Sequence, residues 1–280
     1  MRRLIVIGAT GVFGRLLVRE LHGDVVEASR ATGADLRDPE SIARLARGAF
    51  AVLCAAGPFQ SFDRRCVRAV VDEGAHWLDI ADDPNWFFGL VDDADLDLRA
   101  REKGVAVVPG LSTFPAISGA LARRVGGAVT ITLGIGNRNA KGAASIASAL
   151  AGDGRTIITP DRELLRREGI EARTFVEFQL PGAALIFRLA KRFGIEPQTL
   201  SRIAAPISRF GSDASYVEAV SANGRARVDA RGQRLAILPI ATLANRLVDG
   251  LKLSGVMPPS RAIDGEELFA ALRSAGCAVG

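Results

Sequence analysis

The chain lacks any apolar run long enough to cross a bilayer: stretches such as Ala49 to Gly57 fall far short of the roughly 20 residues a spanning helix needs. No membrane partner is therefore expected. Cysteine is scarce. Cys54, Cys66 and Cys277 are odd in number and show no CxxC spacing, which argues against a disulfide framework and a thiolate metal site. Histidine is scarcer still, with only His22 and His76. A metal centre built from His and Cys has too few ligands, and none is expected. Lysine is confined to Lys103, Lys141, Lys191 and Lys252, so nearly all of the 36 basic residues are arginine. No basic run exceeds three residues, and the 31 acidic residues are interspersed among them. That pattern reads as a solvated surface. It lacks the clustered basic face and aromatic platforms of a nucleic-acid binder.

What is present is a globular composition. Hydrophobic residues make up 48% and charged residues 24%, and 280 residues leave room for one large or two modest domains. Met1-Arg2-Arg3 and the apolar residues after it superficially match a secretory leader. The run meets Gly8 at once and continues as a strand–loop–helix pattern, so a leader is not expected and the cytoplasm is the default location.

Arg3 to Ile7 is a short β-branched run, a buried strand by composition. Gly8-Ala9-Thr10-Gly11-Val12-Phe13-Gly14 follows, and then Leu16, Leu17, Val18 and Leu21 recur at helical spacing to about His22. Strand, glycine loop and helix is the context of a dinucleotide fingerprint. Glycine allows a tight turn and close backbone approach to a pyrophosphate, and the helix start offers free amides. The expected cofactor contacts in this loop are Gly8, Thr10, Gly11, Val12, Phe13 and Gly14.

A second strand, Val25 to Ala28, ends in Ser29-Arg30. An acid at that point suits the ribose 2′-hydroxyl of NAD, and an arginine suits the 2′-phosphate of NADP. Arg30, with Ser29 beside it, points to NADP(H), with NAD as the alternative, and Asp35 is expected to flank the adenine. Asp38-Pro39-Glu40 opens a helix, and Ala49 to Ala56 is the next strand. Ala56, Gly57 and Pro58 lie just past it, where the cofactor's ribose and nicotinamide should run. A helix over Phe62 to Asp72, a strand over His76 to Ile80, a helix over Val91 to Glu102 and a strand over Val105 to Val108 complete an alternating parallel α/β pattern.

Several segments in order resemble the saccharopine dehydrogenase-like oxidoreductases. They are the glycine loop, Ala28-Ser29-Arg30, Cys54-Ala55-Ala56-Gly57-Pro58-Phe59, Gly74-Ala75-His76-Trp77-Leu78-Asp79 and Gly110-Leu111-Ser112-Thr113-Phe114-Pro115-Ala116. The resemblance implies an NAD(P)-binding Rossmann domain followed by an α/β domain that supplies the substrate site and often dimer contacts, here a homodimer. It supports the cofactor better than the substrate, and the chain is shorter than the family's better-known members.

Beyond it, Val129 to Ile135 reads as a strand leading into a basic, glycine-rich loop with Lys141, then a small-residue helix from Ala143. Such a loop suits an anionic substrate group. Thr174 to Leu180 reads as a strand, Ala183 to Phe193 as a helix, and Tyr216 to Ala230 as a hairpin around Asn223-Gly224. Ile240 to Leu251 reads as an amphipathic helix, and Ile263 to Glu267 caps a last short one. The expected division is a Rossmann domain over 1–127 and a smaller α+β domain with an antiparallel sheet over 128–280, with the segment from about 240 to 280 able to pack back on the first.

A short-chain dehydrogenase needs a tyrosine with a lysine four residues on. Tyr216 is the single tyrosine and Val220 stands at that position, which excludes the usual form of that mechanism. Candidate acid–base groups are Asp79, Asp82 and Asp83 after the fourth strand, His76 at its start, Cys54 and Lys141. Asp82, Asp83 and Lys141 rank first as catalytic residues, although Asp83 before Pro84 also suits a helix cap. The expected activity is an NADP(H)-dependent oxidoreductase acting on a small carbonyl, imine or amino-acid-like molecule. The rival reading is a dinucleotide-binding sensor or scaffold without turnover.

Overall fold

A computed structural model describes residues 2–136, 138–139, 156–179, 189, 192 and 211–280. The first elements are β1 (Arg3–Ile7), α1 (Val12–Glu20), β2 (Asp24–Ala28), α2 (Pro39–Ala46), β3 (Ala51–Cys54), α3 (Arg65–Asp72) and β4 (His76–Asp79). Next come α4 (Pro84–Val91), α5 (Ala94–Glu102), β5 (Ala106–Val108), α6 (Ser118–Val125), β6 (Val129–Gly136), α7 (Asp161–Arg167) and β7 (Ala172–Gln179). The chain ends with β8 (Ala214–Ser221), β9 (Gly224–Arg231), α8 (Leu238–Val248), β10 (Gly255–Val256), α9 (Pro259–Ala262), α10 (Gly265–Ser274) and β11 (Ala278–Val279).

These elements form two compact units. One comprises Met1–Ala116 with Ala236–Ala271, the other Ile117–Leu235 with Leu272–Gly280. The first unit's leading segment ends at Ala116, where 127 is the expected bound, and the segment 236–271 clusters with it, a return of the kind expected for about 240–280. The reason for the return is pairing. Gly255 and Val256 of β10 pair in parallel with Ala106 and Val107 of β5, and α8 packs on α1 and β4. A strand of two residues leaves almost no trace in a hydropathy pattern.

The first unit holds a six-stranded parallel sheet in the order β10-β5-β4-β3-β1-β2. Leu4, Ile5, Val6, Ala51, Val52, Leu53, Trp77 and Leu78 are wholly buried, because helices cover both faces of such a sheet. The order reverses at β1, with β2 on one side and β3 on the other. A parallel sheet opens its ligand crevice at that switch point, beyond the carboxyl ends of the strands.

Helix starts follow local chemistry. Asp38 accepts the Glu40 amide at 3.0 Å ahead of Pro39, and Asp93 accepts the Leu96 amide at 2.9 Å at the start of α5. The helix expected over Val91 to Glu102 is α5, and α4 before it is a further helix. Helix α4 escapes the pattern because Asn85 is its one polar side chain: Trp86, Phe87 and Leu90 are buried, but Phe88 and Val91 are apolar too, so no apolar–polar period shows.

The second unit holds a five-stranded mixed sheet, β11-β9-β8-β6-β7, in which only β6 and β7 run parallel. Helix α6 packs on β8 and β9, and α7 on β7. The β8–β9 register pairs Ser221 with Gly224, so Ala222 and Asn223 form the turn, one residue earlier than the expected Asn223-Gly224. The helix expected from Ala143 lies outside the described residues, and so does that over Ala183 to Phe193 apart from Leu189 and Arg192. Among the described residues no helix is long and apolar enough to cross a membrane.

Candidate functional site

The glycine loop occupies the switch point. Gly8 adopts a left-handed φ of 84°, and its amide donates to the Ala28 carbonyl at 2.9 Å. A Cβ on Gly8 would lie 2.8 Å from the Ala56 nitrogen, so the loop seats directly on the chain leaving β3. A Cβ on Gly14 would lie 2.1 Å from the Gly8 carbonyl oxygen, so only glycine lets α1 turn back this tightly. Gly11 precedes α1 and its amide donates to the Gly8 carbonyl at 2.9 Å. No side chain caps α1 and its first turn carries no acid, so the amides at Val12 and Phe13 stay available to an anion. Thr10 is exposed beside Gly11, and the Arg15 guanidinium donates to its carbonyl. A bare helix start, a glycine cradle and backbone packed at closest approach together fit a pyrophosphate.

Beyond β2, Ser29 and Arg30 open a 3-10 turn. The Ser29 amide donates to Thr32 Oγ1 at 2.8 Å, and Arg30 is exposed. Asp35, expected to flank the adenine, forms a bidentate pair with Arg37. It accepts Arg37 Nε at 2.9 Å and Nη2 at 2.7 Å, and this pairing lowers its pKa to about 2. Ala56, Gly57 and a cis Pro58 lie past β3. Phe59 and Phe62 then pack against Trp86 with ring centroids 5.4 and 6.4 Å away.

The acidic edge after β4 divides into three roles. Asp79 is wholly buried. Its Oδ2 accepts both indole N–H groups, Trp77 at 2.8 Å and Trp86 at 2.9 Å, and its Oδ1 accepts the Ala81 and Gly110 amides at 3.0 Å each. Asp83 is buried and caps α4. Its Oδ1 accepts the Trp86 amide at 2.8 Å, and its Oδ2 accepts Gln60 Nε2 at 2.9 Å. Asp82 keeps surface open to solvent while its carboxyl is crowded on the protein side. That desolvation raises its pKa, and the neighbouring Asp83 charge adds to it. Both Asp83 oxygens are thus committed to holding α4 and Gln60.

Sequence reasoning passed over Gln60, whose only signal is its place two residues after Pro58. His76 starts β4 and is buried. Its Nδ1 accepts the Ala106 amide at 2.9 Å, and burial lowers its pKa to about 4. It therefore serves as a neutral clamp between β4 and β5. Lys141 lies outside the described residues. Among those described, no group of His, Cys, Asp and Glu could hold a metal ion.

In the second unit, the buried Ser118 hydroxyl donates to Asp161 Oδ1 at 2.5 Å, while Asp161 Oδ2 and Thr159 Oγ1 are buried without a hydrogen-bond partner. Burial lifts the Asp161 pKa to about 6 against the opposing hydroxyls of Ser118 and Thr159, the latter close to the carboxyl but outside good hydrogen-bond geometry.

No family model matches the chain. Over 85 residues it is 34% identical to the Lipid droplet localized protein of Caenorhabditis elegans, a match spanning 30% of this chain and 20% of that protein. The architecture is similar to the apo saccharopine dehydrogenase (L-Glu forming) of Saccharomyces cerevisiae, with a TM-score of 0.60 at 10% identity over 100% of this chain and 99% of that one. It is also similar to the DAP dehydrogenase of C. glutamicum, with a TM-score of 0.48 at 12% identity over 96% and 98% of the two chains. The fold is saccharopine dehydrogenase-like, and at these identities the likeness concerns the fold alone.

Proposed function

We propose that the chain is an NADP(H)-dependent oxidoreductase, with NAD the alternative cofactor, acting on a small carbonyl, imine or amino-acid-like substrate. The observation that carries this reading is the glycine loop at the β1–β3 switch point, pressed against Ala56 and opening an uncapped helix. The first unit binds the dinucleotide in this reading. The second supplies the substrate and homodimer surfaces, and the protein works in the cytoplasm.

A bound nicotinamide ring supplies the hydride chemistry, and the chain supplies binding, orientation and a proton. The amides at the start of α1 hold the pyrophosphate, and exposed Arg30 meets the 2′-phosphate with Ser29 beside it. Asp82 exchanges the proton at the substrate, since its raised pKa brings it nearer neutrality than an ordinary aspartate. Asp83 holds α4 and Gln60 in place, and Lys141 anchors an anionic substrate group.

The test is a titration with NADPH and NADH of the wild type and an Arg30→Ala variant. A preference for NADPH that the variant loses supports the reading. Binding of neither nucleotide removes it. Once a substrate is found, full turnover by Asp82→Asn would remove Asp82 from the proton step. A sensor or scaffold without turnover is the second reading. It is favoured by the commitment of Asp83 to capping, which leaves Asp82 without its expected acidic partner. Tight dinucleotide binding without oxidation across a broad substrate panel would select it.

A further inference from the structure

We propose that the buried Asp79 carboxylate gives the crevice a preference for the oxidised, positively charged nicotinamide ring over the reduced, neutral one. The inference rests on the dinucleotide reading above and begins from the hydrogen-bond count.

Asp79 is wholly buried and accepts four hydrogen bonds, two on each oxygen. Every donor is an indole or backbone N–H, and none of these can accept a proton. A protonated Asp79 would have to give up one of the four bonds and leave its own hydrogen unpaired. Burial works the other way and raises the pKa. The geometry, with two N–H groups aimed at each oxygen, is that of the carboxylate.

No lysine, arginine or histidine among the described residues forms an ion pair with it. From β3 it is faced by Cys54, its register partner, whose thiol is kept protonated by burial and by the Asp79 charge itself. Asp82 and Asp83 follow on the same loop and carry the same sign. The result is a fixed negative charge, without a counter-cation among the described residues, in a low-dielectric interior, where a charge is felt further than in water.

Its place makes that charge matter. Asp79 is the last residue of β4, beside Cys54 of β3, and two residues past Cys54 the chain packs on Gly8. The carboxylate therefore sits at the carboxyl edge, one strand from the glycine loop. The groups it fixes, the Ala81 and Gly110 amides and Trp86, lie on the β4 loop, the β5 loop and α4. A ring laid over this edge meets a negative field that favours its cationic state.

The experiment compares calorimetric affinities for NADP+ and NADPH, and for NAD+ and NADH, in the wild type, Asp79→Asn and Trp86→Phe. Asp79→Asn removes the charge. Trp86→Phe removes one donor and loosens the same clamp with the charge kept. The expected result is a fall of at least about fivefold in the oxidised-to-reduced affinity ratio for Asp79→Asn, with Trp86→Phe within about twofold of wild type. A ratio indifferent to Asp79→Asn, or moved equally by Trp86→Phe, overturns the proposal. Failure of the wild type to bind either form removes the dinucleotide reading itself, a distinguishable outcome.

If Asp79→Asn does not fold, the wild type still decides. The two indole N–H resonances belong to the only two tryptophans, and both point at Asp79. Resonances constant from pH 8 to pH 5.5 are expected. A joint titration within that range overturns the proposal, because a neutral carboxyl exerts no such field.

Discussion

Asp161 should make the second unit lose stability as the pH rises through the mildly acidic range. In the unfolded chain its carboxyl titrates at the ordinary value of 3.8, and in the folded chain at about 6, because burial penalises the charged form. Between those values the folded state holds a proton that the unfolded state has released, so stability falls as pH rises. It is highest below about pH 4, and the loss is complete above about pH 6. A gap of roughly two pKa units corresponds to about 3 kcal/mol.

Asp161→Asn should remove that penalty. Its Oδ1 still accepts from Ser118, and its amide group offers a donor to the unpartnered Thr159 Oγ1. Amide hydrogen exchange in β6 and β8, read by mass spectrometry at pH 5 and pH 8, isolates the second unit. Both tryptophans lie in the first unit, so their fluorescence would miss it. Other carboxylates contribute to the pH profile of both proteins, so the quantity to read is the difference between them. The variant should gain about 1–1.5 kcal/mol of protection at pH 8 relative to pH 5, because at pH 5 the wild type has already lost about half of the total. A difference that is flat with pH, or a variant less protected than wild type at pH 8, would refute the argument.

Other predictions concern the first unit. Gly14→Ala places a methyl 2.1 Å from the Gly8 carbonyl oxygen and should weaken dinucleotide binding at least tenfold, while overpacking costs about 1–3 kcal/mol. Unchanged affinity by titration would contradict it. Asp83→Ala deletes the α4 cap and frees Gln60, so chemical denaturation should show a loss of about 1–2 kcal/mol. A smaller change would mean the cap is not needed. His76 has its pKa lowered from 6.5 to about 4, so its contribution is present above about pH 6.5 and is lost as the pH falls towards 4. The first unit of a His76→Gln variant, followed by tryptophan fluorescence in urea, should therefore lose less stability on acidification than wild type, by about 3 kcal/mol across that window. Parallel pH profiles would show that His76 is not the group responsible.

The parallel sheet and its glycine loop were legible in the chain because their causes are local. Leu4 to Ile7 is apolar without interruption since both faces of the sheet are covered, and Gly8 and Gly14 stand where a Cβ would strike backbone. Asp38-Pro39 and Asp264 announce helix starts through bonds to amides two or three residues away. Those features belong to the sequence by itself. Only the tertiary structure decided how Asp79, Asp82 and Asp83 divide their work. Three aspartates within five residues look alike in a string. Which one is buried under two indoles, which caps α4 and which keeps a face to solvent depends on Trp86, Gln60 and Gly110, supplied by other elements. The pairing of β10 with β5 and the meeting of Ser118 with Asp161 share that origin. Each is a contact between segments far apart in the chain, and no local propensity encodes the distance that folding closes.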